Sequence, residues 1–148
     1  MIKRESYMKQ IRPFIGQNIV KVLTGIRRCG KSVMLKLIQE ELLSQGISDT
    51  DFLSINFESK ATAHIHSTDS TYTYIKNFSK DKNRKIYLFF DEIQELAGWE
   101  TLVNSCMIDF DCDIYITGSN AKLLSGELAT YLAGRYVKIN VYPFSFQE

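Results

Sequence analysis

The sequence predicts an α/β fold: a three-layer sandwich around a mainly parallel, five-stranded sheet. Two stretches carry this prediction. A glycine-containing loop, residues 25–32, lies between a short apolar strand and a helix with apolar residues at helical spacing. A second apolar run, residues 86–90, is continuous, as expected of a parallel strand covered on both faces, and two acidic residues follow it.

The composition is that of a soluble globular protein with one domain. The chain has 148 residues, of which 45% are hydrophobic and 24% charged. The net charge of +1 gives no basic surplus that would indicate binding to nucleic acid or to acidic membranes. Three cysteines without metal-site spacing, no secretory signal and no membrane-spanning run predict a cytoplasmic protein.

The loop at residues 25–32 matches the phosphate-binding pattern G-x-x-x-x-G-K-[ST] at every fixed position. Its two glycines allow the backbone turns that aim several N–H groups at one anion. Lys31 supplies a positive charge for the outer phosphates, and Ser32 supplies a hydroxyl for Mg²⁺. An ordinary glycine turn is the alternative, but the flanking strand and helix favour phosphate binding. The residues predicted to bind nucleotide are Gly25, Ile26, Arg27, Arg28, Cys29, Gly30, Lys31 and Ser32.

An acidic pair, Asp91 and Glu92, follows the buried strand. In an open α/β sheet the carboxyl ends of the strands border the ligand crevice. Asp91 is therefore predicted to hold Mg²⁺ beside Ser32, and Glu92 to be the base that orients and polarises an attacking water. A strand-ending turn that happens to carry two acids is the alternative interpretation.

The other elements follow from apolar spacing. The second and the last strand each have one wetter face, which predicts that they lie at the edges of the sheet. The N-terminal helix either lies near a bound base or only packs, and residues 72–74 would suit a strand as well as a helix. The predicted helices cover residues 3–15 (broken at Pro13), 33–43 (capped by Gly46), 68–78, 99–110 and 123–132, and the predicted strands cover residues 19–24, 51–57, 86–90, 114–117 and 136–142.

Three further polar features each have two interpretations. Ser119 or Asn120, after the fourth strand, either senses the terminal phosphate or caps a helix. Arg135 is either a cation that reaches a γ-phosphate, in its own subunit or a neighbour's, or a surface arginine. His64 and His66 predict a solvated loop rather than a metal site, because no further ligands stand at workable spacing.

Together these segments resemble the AAA+-type ATPases. Residues 25–32 resemble a Walker A motif of the form GIRRxGKS, residues 87–96 resemble a Walker B motif of the form hhhhDEIQ, and residues 117–120 resemble a sensor-1 segment. Residues 132–136 and 143–146 are similar to the segments that follow the sensor-1 segment in these ATPases. The chain thus resembles the ATPase domain of prokaryotic ATP-binding proteins with a C-terminal domain of unknown function. It is expected to be one core domain, residues 1–148, cut before that second domain.

The resemblance implies a strand order of 5-1-4-3-2, with ATP and Mg²⁺ as cofactors. It places Asn120 at the sensor position, with Ser119 and Thr117 as alternatives. Asn56 matches the place where related ATPases hold the catalytic glutamate away from water, and Arg135 matches an arginine finger. A homo-oligomer or a partner protein is expected, because a lid and a partner subunit usually complete such a site.

Three functions stay open on the sequence alone. The first is ATP hydrolysis that drives a conformational change, and the second is a nucleotide-gated switch or scaffold with negligible turnover. A small-molecule kinase has less support, because no arginine-rich lid is evident and Glu92 follows Asp91 directly. The chain has no Asn-Lys-x-Asp guanine signature, which argues against GTP.

Overall fold

A computed structural model describes residues 5–25, 30–119, 132 and 134–142 of the chain. Within this part, five parallel strands form one sheet in the order β2-β3-β4-β1-β5. This is the predicted order, read from the opposite edge. The strands are β1 Val20–Thr24, β2 Phe52–Asn56, β3 Ile86–Asp91, β4 Cys112–Gly118 and β5 Tyr136–Asn140, and the helices are α1 Glu5–Ile11, α2 Lys31–Ser44, α3 Thr68–Ser79 and α4 Trp99–Asp109.

The edge positions of β2 and β5 confirm the interpretation of their half-wet patterns. In β2, Leu53 and Ile55 are buried while Ser54 and Asn56 are exposed. Residues 72–74, for which a strand was an alternative, lie inside α3, because a capping box at Ser67 starts a helix there. The helix predicted over residues 123–132 lies outside the described part of the chain, except for its last residue.

The sheet has an apolar core on each face, which gives the three predicted layers. Successive side chains of a strand point to opposite faces, so each inner strand contributes to both cores. One core joins α3 and α4 to the sheet, and the other joins α1 and α2 to it. Buried members of the first include Ile75, Leu88, Phe90, Trp99, Leu102 and Ile116, and of the second Ile11, Leu23, Met34, Ile38, Phe89 and Tyr115. No helix in the described ranges is long and apolar enough to cross a membrane.

A buried ion pair that the sequence patterns do not predict joins β1 to β4. The side chains of Lys21 and Asp113 are both 0% exposed, and the Lys21 ammonium contacts one carboxylate oxygen of Asp113 directly. The ammonium also donates to the Gln17 carbonyl at 3.0 Å. The other carboxylate oxygen accepts from the Tyr115 hydroxyl at 2.6 Å and from the Gly16 N–H at 2.9 Å. Burial lowers the pKa of Lys21, and the Asp113 carboxylate opposes that shift.

Because all five strands are parallel, their carboxyl ends meet at one edge of the sheet. Residues 25–32 follow β1 at this edge, and the acidic pair is at the end of β3. Strand β4 lies between these two strands. The register pairs Thr24 of β1 with Gly118, and Phe90 of β3 with Ile116, so the end of β4 lies between the loop and the acidic pair.

Candidate active site

The described ends of the phosphate loop lie between β1 and α2. Gly25 follows β1, and Gly30 has φ of +97°, a left-handed conformation that favours glycine. Helix α2 begins at Lys31, so the free N–H groups of its first turn border the loop. The loop residues Ile26, Arg27, Arg28 and Cys29 lie outside the described residues.

Lys31 is held inside the site by two oxygens. Its side chain is 3% exposed. The ammonium donates to the Gly25 carbonyl at 2.8 Å and lies 3.6 Å from Oε2 of Glu92, whose side chain is 12% exposed. A phosphate in the loop would compete with both oxygens for the ammonium, so the occupancy of the loop and the position of Glu92 are linked.

Ser32 and Asp91, the two residues predicted to serve Mg²⁺, are in direct contact. The Ser32 hydroxyl donates to Asp91 Oδ2 at 2.6 Å. Hydroxyl and carboxylate oxygens are ligands that Mg²⁺ accepts, and Mg²⁺ usually binds through one or two such groups together with substrate phosphates. The pair therefore fits a magnesium ion that arrives with a nucleotide.

Thr117 of β4 connects both acids to the sheet. Its Oγ1 donates to Asp91 Oδ1 and accepts from the Glu92 N–H at 2.9 Å. The side chain is 0% exposed. The family resemblance offers Thr117 only as an alternative to Asn120, which lies outside the described residues. The register offered a signal, because Thr117 follows Ile116, the partner of the residue before Asp91.

Glu92 has an unusual backbone. Its φ of +53° is the single positive value at a non-glycine residue in the described ranges. A left-handed conformation costs a residue with a Cβ about 1–2 kcal/mol, so its surroundings must stabilise it. The Glu92 N–H donates to Thr117 Oγ1, and Gln94 Nε2 donates to Glu92 Oε1 at 2.8 Å. These contacts fix the carboxylate beside Lys31.

Asn56 lies at the same edge but has another contact. It pairs in register with Asp91 across the β2–β3 ladder. Its Oδ1 accepts from the Glu58 N–H at 2.9 Å and caps the turn after β2. The structure therefore brings Asn56 to the acidic pair, while the polar contacts to the Glu92 carboxylate come from Lys31 and Gln94.

Arg135 lies at the amino ends of the strands, opposite the edge that carries the phosphate loop and the acidic pair. Its carbonyl accepts from the Val20 N–H at 2.9 Å, where β1 starts. The five residues of β1 separate this point from the phosphate loop, which is about 16 Å at ~3.3 Å per residue. Arg135 is thus not placed to serve the loop of its own subunit, and a role at a γ-phosphate would require a second subunit.

The histidines and cysteines in the described part of the chain lie outside this site. The His64 ring packs on Tyr74 with ring centroids 6.3 Å apart, and His66 Nδ1 lies 2.8 Å from the Ala63 carbonyl. No group of three or more potential metal-binding His, Cys, Asp or Glu side chains occurs within the described ranges. Burial raises the pKa of the Cys112 thiol to about 12, and it also raises that of Cys106, so both remain protonated near neutral pH.

Comparison with protein families identifies the class of the chain. The model of a family described as an AAA domain matches residues 17–148. The chain belongs to this AAA domain family. Membership suggests a nucleotide-binding ATPase, and it implies nucleotide binding, usually together with Mg²⁺. The contacts among Lys31, Ser32, Asp91 and Glu92 lie within the matched range.

Two curated relatives of this AAA domain are uncharacterised proteins. One, from Haemophilus influenzae, is 45% identical over 148 residues, which is 100% of this chain and 37% of that protein. The other, from Methanocaldococcus jannaschii, is 39% identical over 131 residues, which is 88% of this chain and 28% of that protein. The AAA domain thus spans little more than a third of the length of the first and less of the second.

Solved structures agree with the fold. PCH-2 from C. elegans superposes with a TM-score of 0.62 at 19% identity, over 97% of this chain and 44% of that chain. A DNA polymerase III gamma subunit-related protein from Thermotoga maritima gives a TM-score of 0.64 at 12% identity, over 94% of this chain and 45% of that chain. At these identities the likeness establishes the α/β fold alone.

Thr117→Val is expected to destabilise the AAA domain by about 2–4 kcal/mol. Valine has the shape of threonine but no hydroxyl, so the hydrogen bond to the Asp91 carboxylate is lost and the Glu92 N–H has no acceptor. Thr117→Ser keeps the hydroxyl and is expected to cost about 1 kcal/mol for the lost methyl group. Urea unfolding of the three proteins measures both effects. Equal losses for the valine and serine variants would show that the methyl group, and not the hydroxyl, matters at this position.

Proposed function

We propose that this AAA domain binds ATP with Mg²⁺ and hydrolyses it to drive a conformational change in a partner or process. The proposal is supported chiefly by one observation: the side chains of the phosphate loop touch those of the acidic pair. Ser32 contacts Asp91, and Lys31 lies beside Glu92. Anion binding, metal ligation and a candidate base are therefore adjacent at the carboxyl edge of the sheet.

In this proposal, residues 25–32 hold the phosphates through backbone N–H groups and Lys31. Lys31 exchanges its contacts with Gly25 and Glu92 for phosphate oxygens. Ser32 and Asp91 would hold Mg²⁺, which would offset the negative charge of the phosphates. The contact between these two side chains supports their shared role as ligands.

Glu92 is the proposed general base. It orients a water, accepts a proton from it as the water oxygen bonds to the γ-phosphorus, and the bond from that phosphorus to the leaving oxygen of ADP breaks. Asn120 is the proposed sensor of the terminal phosphate. Asn56 is proposed to hold Glu92 in one state of the cycle by donating from Nδ2 to its carboxylate, while Oδ1 accepts from the Glu58 N–H.

Arg135 is proposed to act on the γ-phosphate of a neighbouring subunit. Its place at the amino edge of the sheet supports a role between subunits rather than within one. This proposal includes a homo-oligomer in the cytoplasm, and a longer protein in which a C-terminal domain follows residues 1–148. The short span of this chain on its curated relatives is consistent with such an extension.

A nucleotide-gated switch with negligible turnover is the second candidate. One observation favours it: the Glu92 carboxylate contacts both Lys31 and Gln94. Nucleotide binding alone would draw Lys31 away and change the surroundings of Glu92, so a partner could sense the bound state without hydrolysis.

Mg²⁺·ATP binding and phosphate release test the proposal, measured on residues 1–148 and on the longer protein. We expect both to bind ATP and the longer one to turn it over faster. Lys31→Ala is expected to weaken ATP binding about 10- to 100-fold, because charge-assisted hydrogen bonds to the phosphates are lost. Lys76→Ala, an exposed lysine on α3, is the control and should bind as wild type does. No ATP binding by either wild-type protein would refute the proposal, and binding without turnover in both would favour the switch.

A further inference from the structure

Gln94 is a polar side chain that contacts the Glu92 carboxylate and has no assigned role in the hydrolysis proposed above. It lies in the short helical segment Ile93–Glu95 that follows the acidic pair. Its Nε2 donates to Glu92 Oε1 at 2.8 Å and has a longer contact of 3.3 Å with Glu95 Oε2. The other oxygen of Glu92, Oε2, lies 3.6 Å from the Lys31 ammonium. The two oxygens of this carboxylate therefore have different partners, one neutral and one cationic.

The carbonyl end of the Gln94 amide shows what sets its orientation. Oε1 of Gln94 is buried and has no hydrogen-bond partner among the described residues. A buried carbonyl without a partner is destabilising, so this end of the amide does not favour the observed orientation. The reversed amide would place a carbonyl oxygen against the Glu92 carboxylate, where two acceptors repel. The carboxylate of Glu92, supported by the longer contact to Glu95, thus selects the orientation of Gln94 and draws the amide N–H groups toward it.

We infer that Gln94 is a positioning residue for Glu92, and that it gives the two carboxylate oxygens different roles in the reaction. The inference rests on the proposed function. When a nucleotide binds, its phosphates attract Lys31, and Oε2 of Glu92 loses the cation beside it. Gln94 is neutral and has no comparable attraction to phosphate, so it stays on Oε1. Oε1 is then the held oxygen, and Oε2 is the one that accepts a hydrogen bond from water.

Two substitutions of similar size separate the donor from the shape of the side chain. Gln94→Met removes the N–H donor and keeps the length, while Gln94→Glu replaces the donor by a second carboxylate. In the full-length protein we expect kcat for Mg²⁺·ATP to fall about tenfold for the methionine variant and further for the glutamate variant. KM should stay within about twofold, because Gln94 does not contact the nucleotide in this assignment. A methionine variant with wild-type kcat would overturn the inference.

Thermal unfolding distinguishes positioning from a structural role. Gln94→Met loses the amide hydrogen bond to Glu92 but also removes a buried carbonyl that lacks a partner. Because these two effects oppose each other, its Tm is expected to stay close to that of wild type while kcat falls. A residue with only a structural role would lower both. Gln45→Met is the matched control, because Gln45 also donates to a carboxylate, Oε2 of Glu41, but on the surface at the end of α2. Its kcat should be unchanged.

A double-mutant cycle tests the contact without any need for turnover. Glu92→Ala, Gln94→Met and the double variant are compared by urea unfolding. If Glu92 is the main acceptor of the Gln94 amide, the two effects are not additive, because the alanine variant removes the nearer of its two carboxylate partners. Additive effects would overturn the inference. A wild-type protein without turnover would refute the proposed function, whereas a non-additive cycle would still support the positioning of Glu92 by Gln94.

Discussion

Glu92→Gln is expected to reduce ATP turnover by about 10²- to 10⁴-fold and to leave ATP binding intact or slightly tighter. The amide has the shape of the carboxylate but cannot accept a proton from water. Binding should not suffer, because the substitution also removes the negative charge 3.6 Å from the Lys31 ammonium, which competes with the phosphates for that cation. Phosphate release gives kcat, and titration with a fluorescent ATP analogue gives Kd, both on the full-length protein.

The control for this prediction is Glu100→Gln, which changes a glutamate in the first turn of α4 by the same amide substitution. Its turnover and binding are expected to equal those of wild type. The backbone of Glu92 is tied to Thr117 through its N–H, which the glutamine variant retains, so misfolding is not expected to explain a loss of activity. Turnover within tenfold of wild type would show that Glu92 is not the base.

The sheet and the adjacency of the two motifs were predictable from the sequence for one physical reason. Polar residues follow the carboxyl ends of the apolar strands in the sequence, and in a parallel sheet those ends share one edge. Ser32 and Asp91 are 59 positions apart and yet hydrogen-bonded, because each closely follows or ends such a strand. The half-wet patterns of β2 and β5 likewise reflect edge strands with one open side.

The same rule places Arg135, since it precedes its strand and so lies at the amino edge, whereas Asp91 ends its strand at the carboxyl edge.

Other features depend on side-chain geometry that no pattern encodes. Glu92 adopts a positive φ although it is neither glycine nor asparagine, because Thr117 and Gln94 hold it. Asn56 is a second example. Its Oδ1 accepts from the Glu58 N–H in the turn after β2, and its position at the end of the strand does not specify which neighbour it contacts.

The buried pair of Lys21 and Asp113 was also beyond the sequence, since partner choice requires the register of β1 against β4. The predicted strands place Lys21 inside one apolar strand and Asp113 just before another, where either charge could reach solvent at a strand end. Only the pairing of Lys21 with Tyr115, two residues after Asp113, places the ammonium beside the carboxylate. Both charges are then compensated inside the core.

Lys21→Met is expected to lower the free energy of unfolding by about 3–5 kcal/mol, because it leaves the Asp113 carboxylate buried without its cation. The hydroxyl of Tyr115 and the N–H of Gly16 still donate to that carboxylate, but neither carries a charge. Urea unfolding monitored by circular dichroism measures the loss. Lys85→Met is the matched control, because Lys85 pairs with Asp111 at 3.0 Å where the two side chains are 31% and 70% exposed, and such surface pairs contribute about 0–1 kcal/mol.

Combining Lys21→Met with Asp113→Leu is expected to recover most of the lost stability, since an apolar pair avoids the cost of a buried unpaired charge. Recovery should be incomplete, because Asp113→Leu removes the acceptor of the Gly16 N–H and the Tyr115 hydroxyl. A single-variant loss as small as that of Lys85→Met would contradict the account. Lys21 lies near the start of β1 and the phosphate loop follows its end, so the folded double variant is expected to bind ATP as wild type does. The ion pair would then stabilise the strand that carries the loop without taking part in binding.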